Sequence, residues 1–294
     1  MNFAQKLTEA VQSKGNPVLV GLDPRWESLP EDLTKNVQNV PRKIPPAGDV
    51  ADSFERFCCE VIDVVAPLVP AVKPQSAFFE QYGSAGMVAL ERIIRYARSK
   101  NLLVIFDGKR NDIGSTAAAY AAGILGKDSA WGADALTVSP YLGDDSLEPF
   151  VQEAVKREAG IFVLVKTSNP GGKMLQDLEA DGKTIYRHVA EYVEQLAERT
   201  NGSVGAVVGA TWAEQLAELR RLMPSAWFLV PGFGSQGGTA KDVLGAFRDD
   251  GLGAVINNSR GIIFAHQKDK ESKRWQDAVE KATRKMIDEL KKPV

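Results

Sequence analysis

The segment Asp107-Gly108-Lys109-Arg110-Asn111-Asp112 sets one ammonium between two carboxylates. On an extended strand, residues two apart share a face, so Asp107 and Lys109 point the same way. A carboxylate beside an ammonium favours the charged form of both. A lysine held in this way is a poor base and a well-placed acid, suited to giving a proton to a developing carbanion. Lys73 ends a neighbouring apolar run and would extend the array to Lys-Asp-Lys-Asp. Position alone leaves Asp112 two roles. It could join the array, or it could cap a helix expected over Ile113–Leu125, where Asp is a favoured N-cap.

A second group of residues suits a phosphate. Gly232, Gly234, Gly237 and Gly238 would let the backbone approach an anion, and a helix starting near Thr239 would aim its amides there. Arg260 offers a bidentate guanidinium. The alternative is a flexible turn with a surface arginine. His188 and His266 fall on expected helices and read as structural. No His/Asp/Glu cluster has metal-ligand spacing, and there is no Gly-x-Ser-x-Gly elbow.

These residues need elements to position them. Eight apolar runs are short enough to be buried strands: Val18–Leu22, Pro70–Lys73, Leu102–Phe106, Ala135–Val138, Ile161–Val165, Val204–Val208, Trp227–Val230 and Ala254–Ile256. Amphipathic segments such as Met87–Tyr96 and Ile185–Glu194 lie between them. This alternation predicts an α/β fold, a (β/α)8 TIM barrel. An open doubly wound sheet usually carries its Gly-rich turn after the first strand. Here Asp23-Pro24-Arg25-Trp26 follows the first strand, and the Gly-rich turn follows the seventh. Barrel enzymes gather catalytic groups at the C-terminal strand ends. Asp23, Lys73, Asp107, Lys109, Lys166-Thr167-Ser168-Asn169, Pro231 and Asn257-Asn258-Ser259-Arg260 all fall there. Strand ends are polar in any barrel, but that does not account for two lysines beside aspartates.

The 294 residues, 44% of them hydrophobic, are expected to form one barrel domain over 1–294. A long connection at about 24–50, with Pro30, Pro41, Pro45, Pro46 and Gly48, suits a lid or a surface excursion. The net charge of -2 gives no reason to expect a nucleic-acid or anionic-membrane partner. There is no leader pattern and no apolar run of about 18 residues, so a cytoplasmic location is expected. The adjacent Cys58 and Cys59 read as small core residues on a helix, in a reducing compartment. Lys268–Lys292 reads as a charged amphipathic helix with a solvated face.

Val104-Ile105-Phe106-Asp107-Gly108-Lys109-Arg110-Asn111-Asp112-Ile113-Gly114-Ser115-Thr116 resembles the signature of the orotidine 5'-phosphate decarboxylase family, Asp-x-Lys-x-x-Asp-Ile-x-x-Thr after an apolar strand. The resemblance includes Val20-Gly21-Leu22-Asp23, Val72-Lys73, Lys166-Thr167-Ser168, Pro231-Gly232 with Gln236, and Ser259-Arg260, so it spans most of the chain in order. The long connection and the Asp-Gly-Lys-Arg form are similar to the family's longer bacterial group. The resemblance implies a cofactor-free, metal-free homodimeric barrel. It would convert orotidine 5'-monophosphate to uridine 5'-monophosphate and carbon dioxide in de novo pyrimidine biosynthesis. It also implies a role for each matching residue. Lys109 would be the proton donor to C6, Asp107 would face the substrate carboxylate, and Lys73 would bridge Asp107 and the ribose. Asp112 and Thr116 would reach the partner subunit's site, and Asp23 would bind ribose hydroxyls. Thr167 and Ser168 would meet the pyrimidine edge and the ribose region. Pro231 and Ser259 would line the substrate site, and Gln236 and Arg260 would hold the phosphate. Some shorter members carry an arginine close after the Pro-Gly, where this chain has Gly234.

Three other functions remain open at this stage. Lys166-Thr167-Ser168 is similar to the Schiff-base segment of deoxyribose-phosphate aldolases, which need a lysine nucleophile. A sugar-phosphate decarboxylase of the same superfamily would need a divalent metal. A phosphoribosyl-ligand binding protein would not need the acid–lysine array.

Overall fold

The computed structural model describes residues 1–35, 45–234, 237–269 and 271–291. Its eight main strands are β1 (Val18–Leu22), β2 (Ala71–Pro74), β3 (Leu103–Arg110), β4 (Ala135–Val138), β5 (Gly160–Lys166), β6 (Val204–Val208), β7 (Phe228–Val230) and β8 (Ala254–Asn258). They pair in parallel and close into a barrel, β8 returning to β1 through Val18↔Ile256. The fold is the expected α/β barrel. Each strand lies within a few residues of its apolar run. The largest difference is β3, expected to end at Phe106, which continues to Arg110 through an irregular register against β4.

The barrel interior holds one apolar side chain from each strand: Leu19, Ala71, Ile105, Ala135, Phe162, Val207, Leu229 and Val255. A helix over Phe3–Lys14, not anticipated from the sequence, closes the N-terminal end. Asn2 and Gln5 form a reciprocal capping box that starts it, and Gly15 in the left-handed region ends it. Its Phe3, Leu7 and Val11, spaced four apart, join the interior cluster. Each such burial is worth about 1.5–3 kcal/mol. With that end sealed by apolar contacts, polar chemistry is left to the other end. Two residues further along the strands, the inward positions become Gly21, Lys73, Asp107, Thr137 and Asn257.

The outer faces of the strands pack against helices in a larger apolar core. The helices include Ala47–Val65, Gly83–Ser99, Ile185–Arg199 and Trp275–Lys291. Cys58 is buried and Cys59 half-buried on the first of these. The last falls within the charged segment expected to be helical over Lys268–Lys292 but starts only at Trp275, burying Trp275, Val279, Met286 and Ile287. The described parts of the connection at 24–50 hold more helix than its prolines suggest. Trp26–Ser28 and Glu31–Thr34 are short helices, and the Ala47–Val65 helix begins within it, one residue after Pro46, which suits a helix start. Residues 36–44 lie outside the described residues.

Candidate active site

The array forms across three adjacent strands. Asp107, on β3, receives Lys73 Nζ from β2 at Oδ2, 2.7 Å away, and Lys109 Nζ at Oδ1, also 2.7 Å away. The Thr137 hydroxyl on β4 donates to the same Oδ1 at 2.9 Å. It also accepts the Lys109 amide at 2.9 Å. That second bond explains the irregular register, because the Lys109 amide is taken by a side chain instead of the β4 backbone. Lys109 has φ 43, in the left-handed region that is costly for a side-chain-bearing residue. Arg110 secures this turn by donating to the Gly108 carbonyl at 3.0 Å, pairing with Glu80 and lying over the Tyr120 ring. Lys73 and Asp107 are buried, whereas the Lys109 side chain keeps 48% of its exposure and faces the open rim.

Burial opposes both buried charges, and the opposite charges outweigh it. Burial pulls the Lys73 ammonium down, but Asp107 and then Asp23 raise it, leaving it above the ordinary lysine value. Burial pushes the Asp107 carboxyl up, but the charges and hydrogen bonds of Lys73 and Lys109 hold it well below the usual carboxylate range. Near neutral pH the pair therefore stays ionised.

The rim beside this array, at the ends of β1 and β8, differs. Asp23 Oδ1, Asn257 Oδ1 and Ser259 Oγ are buried and have no hydrogen-bond partner among the described residues. Gly21 makes their approach possible, since a Cβ there would stand 2.0 Å from Ser259 Oγ. Buried polar atoms without partners cost about 1–3 kcal/mol each, which marks them as candidate ligand contacts. Pro231 and Arg260 border the same rim, and Gln236 lies outside the described residues. The helix after the Gly-rich turn spans only Ala240–Val243, and Asp242 already accepts the Thr239 amide at 2.8 Å. Its dipole is therefore a weaker anion site than the sequence suggested, because a single capped turn carries few free amides.

Strand β5 corrects one expectation. A register shift after Leu164 pairs Lys166 with Val208, whose side chain packs in the outer core. Lys166 is consequently buried away from the rim, ion-paired with Asp177 and set over the Tyr186 and Trp212 rings at 5.1 and 5.2 Å. A Schiff-base lysine needs access to a carbonyl substrate, which this placement denies. Thr167 is half-buried, and Gln176 engages both its hydroxyl, at 2.8 Å, and its amide, at 3.1 Å. Ser168 follows it, half-buried.

Asp112 is not the helix cap. The helix spans Gly114–Ile124 with Ile113 at the cap position, and among the described residues the Asp112 carboxylate accepts only the adjacent Ile113 amide, at 2.8 Å. Thr116 is exposed on that helix. Sequence reasoning passed over Thr137, and placed Asn257 on the rim without giving it a role. Thr137 is the one polar residue of β4, and that isolation was the available signal. Among the described residues no three His, Cys, Asp or Glu side chains are grouped as a metal site.

Comparison with known proteins gives a concordant result. The family model described as orotidine 5'-phosphate decarboxylase / HUMPS matches residues 16–275. The orotidine 5'-phosphate decarboxylase of Rhodopirellula baltica is 55% identical, with 99% of each chain covered. That of Haloarcula marismortui is 43% identical over 90% of this chain and 88% of its own. The solved structure of Leishmania donovani OMP decarboxylase is 33% identical, covers 99% of this chain and 97% of its own, and superposes with a TM-score of 0.78. Agreement across nearly the whole length, in sequence and in barrel, makes this chain a member of the orotidine 5'-phosphate decarboxylase family.

Proposed function

We propose that this enzyme decarboxylates orotidine 5'-monophosphate to uridine 5'-monophosphate, with Lys109 as the acid that protonates C6. The observation that carries this reading is the array in which Asp107 holds both Lys73 and Lys109 at 2.7 Å. When the C6–carboxylate bond breaks, its electron pair stays on C6, and no adjacent carbonyl or imine absorbs it. A fixed ammonium beside C6 stabilises that charge before any proton moves. Lys109 then supplies the proton for the new C6–H bond and is reprotonated from solvent. Asp107 positions the ammonium and faces the substrate carboxylate. Lys73 is held too firmly in its charged form to act as a base.

Asp23, Pro231, Ser168, Asn257 and Ser259 would bind the nucleoside, and Arg260 the phosphate, drawing binding energy from a group remote from the reacting ring. A homodimer completes the site in this reading. Asp112 and the exposed Thr116 reach the partner from a surface that also presents Ile113 and Tyr120, both apolar and exposed. A cytoplasmic location suits the two free thiols.

The test is loss of orotidine 5'-monophosphate absorbance by the purified protein in a strong chelator. Turnover is expected, and no turnover by the folded protein would overturn the reading. Activity that the chelator abolishes would favour the metal-dependent sugar-phosphate class. For the dimer, mixing Lys109→Ala and Asp112→Ala subunits should restore activity through one intact mixed site. No recovery despite demonstrated subunit exchange would return Asp112 to its own subunit.

A further inference from the structure

Beyond the rim residues already assigned, one cleft gathers cations that no ion pair among the described residues neutralises. It is bordered by Arg25, Gly234, Arg260, Gly261 and Lys268. Most charged side chains of this protein that approach an opposite charge pair with it on the surface, as Arg199 does with Glu148 and Lys183 with Glu191. Arg25 and Arg260 differ. Among the described residues neither side chain makes a hydrogen bond or an ion pair, and Arg25 Nε is buried without a partner. Two guanidiniums facing one cleft repel each other, and a buried donor left unmade costs about 1–3 kcal/mol. An anion in the cleft removes both penalties.

Arg25 is also held for such a role. Its guanidinium lies over the Phe78 ring, 5.2 Å from the centroid, a contact that helps hold the side chain in place. It stands two residues after Asp23, at the end of β1, so it continues the rim from the unpartnered Asp23 Oδ1 toward Arg260. Gly234 borders the cleft with φ +70, a left-handed backbone that disfavours any side chain there. A cation from the Gly-rich turn is thus disfavoured at that position by backbone geometry, and the β1 connection carries one.

We propose that Arg25 is a second phosphate-binding guanidinium, acting with Arg260 on the 5'-phosphate of the nucleotide. This rests on the decarboxylase reading and adds a residue to its binding end. The readout is the ratio of kcat/KM for orotidine 5'-monophosphate to kcat/KM for orotidine, the same reactant without its phosphate. Arg25→Met keeps the stem over Phe78 and removes the charge. It should lower that ratio about 10- to 100-fold, mostly through KM, as expected for a charge-assisted hydrogen bond. Arg25→Lys should recover part of the loss, since it restores charge without the fork. Competitive inhibition by inorganic phosphate should weaken in parallel in Arg25→Met. An unchanged ratio, or equal losses on both substrates, would overturn the proposal by making Arg25 neutral or merely structural. If the wild-type protein turns over neither substrate, the decarboxylase reading fails instead. Calorimetric titration with inorganic phosphate then still decides whether Arg25 holds an anion, by comparing wild type with Arg25→Met.

Discussion

The two sides of the barrel rim are built in opposite ways. On the β2–β4 side, Asp107 is satisfied by Lys73, Lys109 and Thr137 before any ligand arrives. On the β1 and β8 side, Asp23, Asn257 and Ser259 bury polar atoms that have no partner among the described residues. The first side is preorganised: its charges are fixed, so no reorganisation is needed as a carbanion forms. The second side carries an unmet hydrogen-bonding cost that a bound nucleotide would remove. In the proposed reading the contrast separates chemistry from binding, and mutations on the two sides should then fall on different quantities.

The largest effect should come from Lys109→Ala. It removes the proposed proton donor and the charge nearest the reacting carbon. A loss of about 10³-fold or more in kcat is expected, from general acid catalysis combined with electrostatic stabilisation. Stability should fall less than for a change at Lys73, because the Lys109 side chain is 48% exposed, although the buried Asp107 carboxylate loses one of its two cations. A rise in KM alone, with kcat intact, would place Lys109 on the binding side and break the contrast.

Lys73→Met comes next and should act on folding as well as on rate. It leaves the buried Asp107 carboxylate with one cation instead of two. Removing one member of a buried pair typically costs about 3–5 kcal/mol. The remaining contact to Lys109 should keep the loss near the lower end, measurable as a shift in the urea midpoint at neutral pH. An unchanged midpoint would mean that the array is not under the electrostatic tension inferred for it.

How much of this could be read from the sequence divides along a similar line. The strands and the pairing of Asp107 with Lys109 follow from period-two spacing, which the backbone enforces locally. Lys166 was misplaced because a register shift after Leu164 turned it outward, and no spacing rule records such a shift. The Asp112 cap failed by one residue, the ordinary uncertainty of a helix boundary. Thr137, Gln176 and Arg25 act through partners about 10 to 50 positions away, and only the closed barrel brings those together. The Phe3–Lys14 helix was missed because its apolar residues are few and its function, sealing the barrel, exists only in the assembled fold.

Two hydroxyl deletions compare the sides directly. Thr137→Val removes a group that serves both Asp107 and the Lys109 amide. It should lower stability by about 1–2 kcal/mol and lower kcat, because Lys109 loses its backbone anchor. Ser259→Ala removes a buried hydroxyl that has no partner among the described residues. Stability should hold or rise slightly, while KM for orotidine 5'-monophosphate rises roughly 5- to 10-fold, the equivalent of one hydrogen bond. If Ser259→Ala destabilised the fold as much as Thr137→Val, the two sides would not differ in the way their hydrogen bonds indicate.

The smallest effect, and the most specific to the array, lies in pH dependence. Asp107 is depressed in the fold, so its contribution is present above the unfolded carboxyl value of about 3.9 and is lost as pH falls through the lower folded value. Lys73 is raised in the fold, so its contribution is complete below about 10.4 and is lost as pH rises through the higher folded value. Subtracting the stability of Lys73→Met from that of wild type cancels groups common to both, such as Asp269 and His266. The difference should be a plateau between about pH 6 and 9. Below it, the difference shrinks because wild type loses the Asp107 contribution and the variant, with Asp107 less depressed, loses less. Above it, the difference shrinks because only wild type carries Lys73. Urea midpoints taken one pH unit apart resolve this shape, and a steady slope through neutrality would mean that one member of the pair titrates there and the array is not fully ionised at working pH.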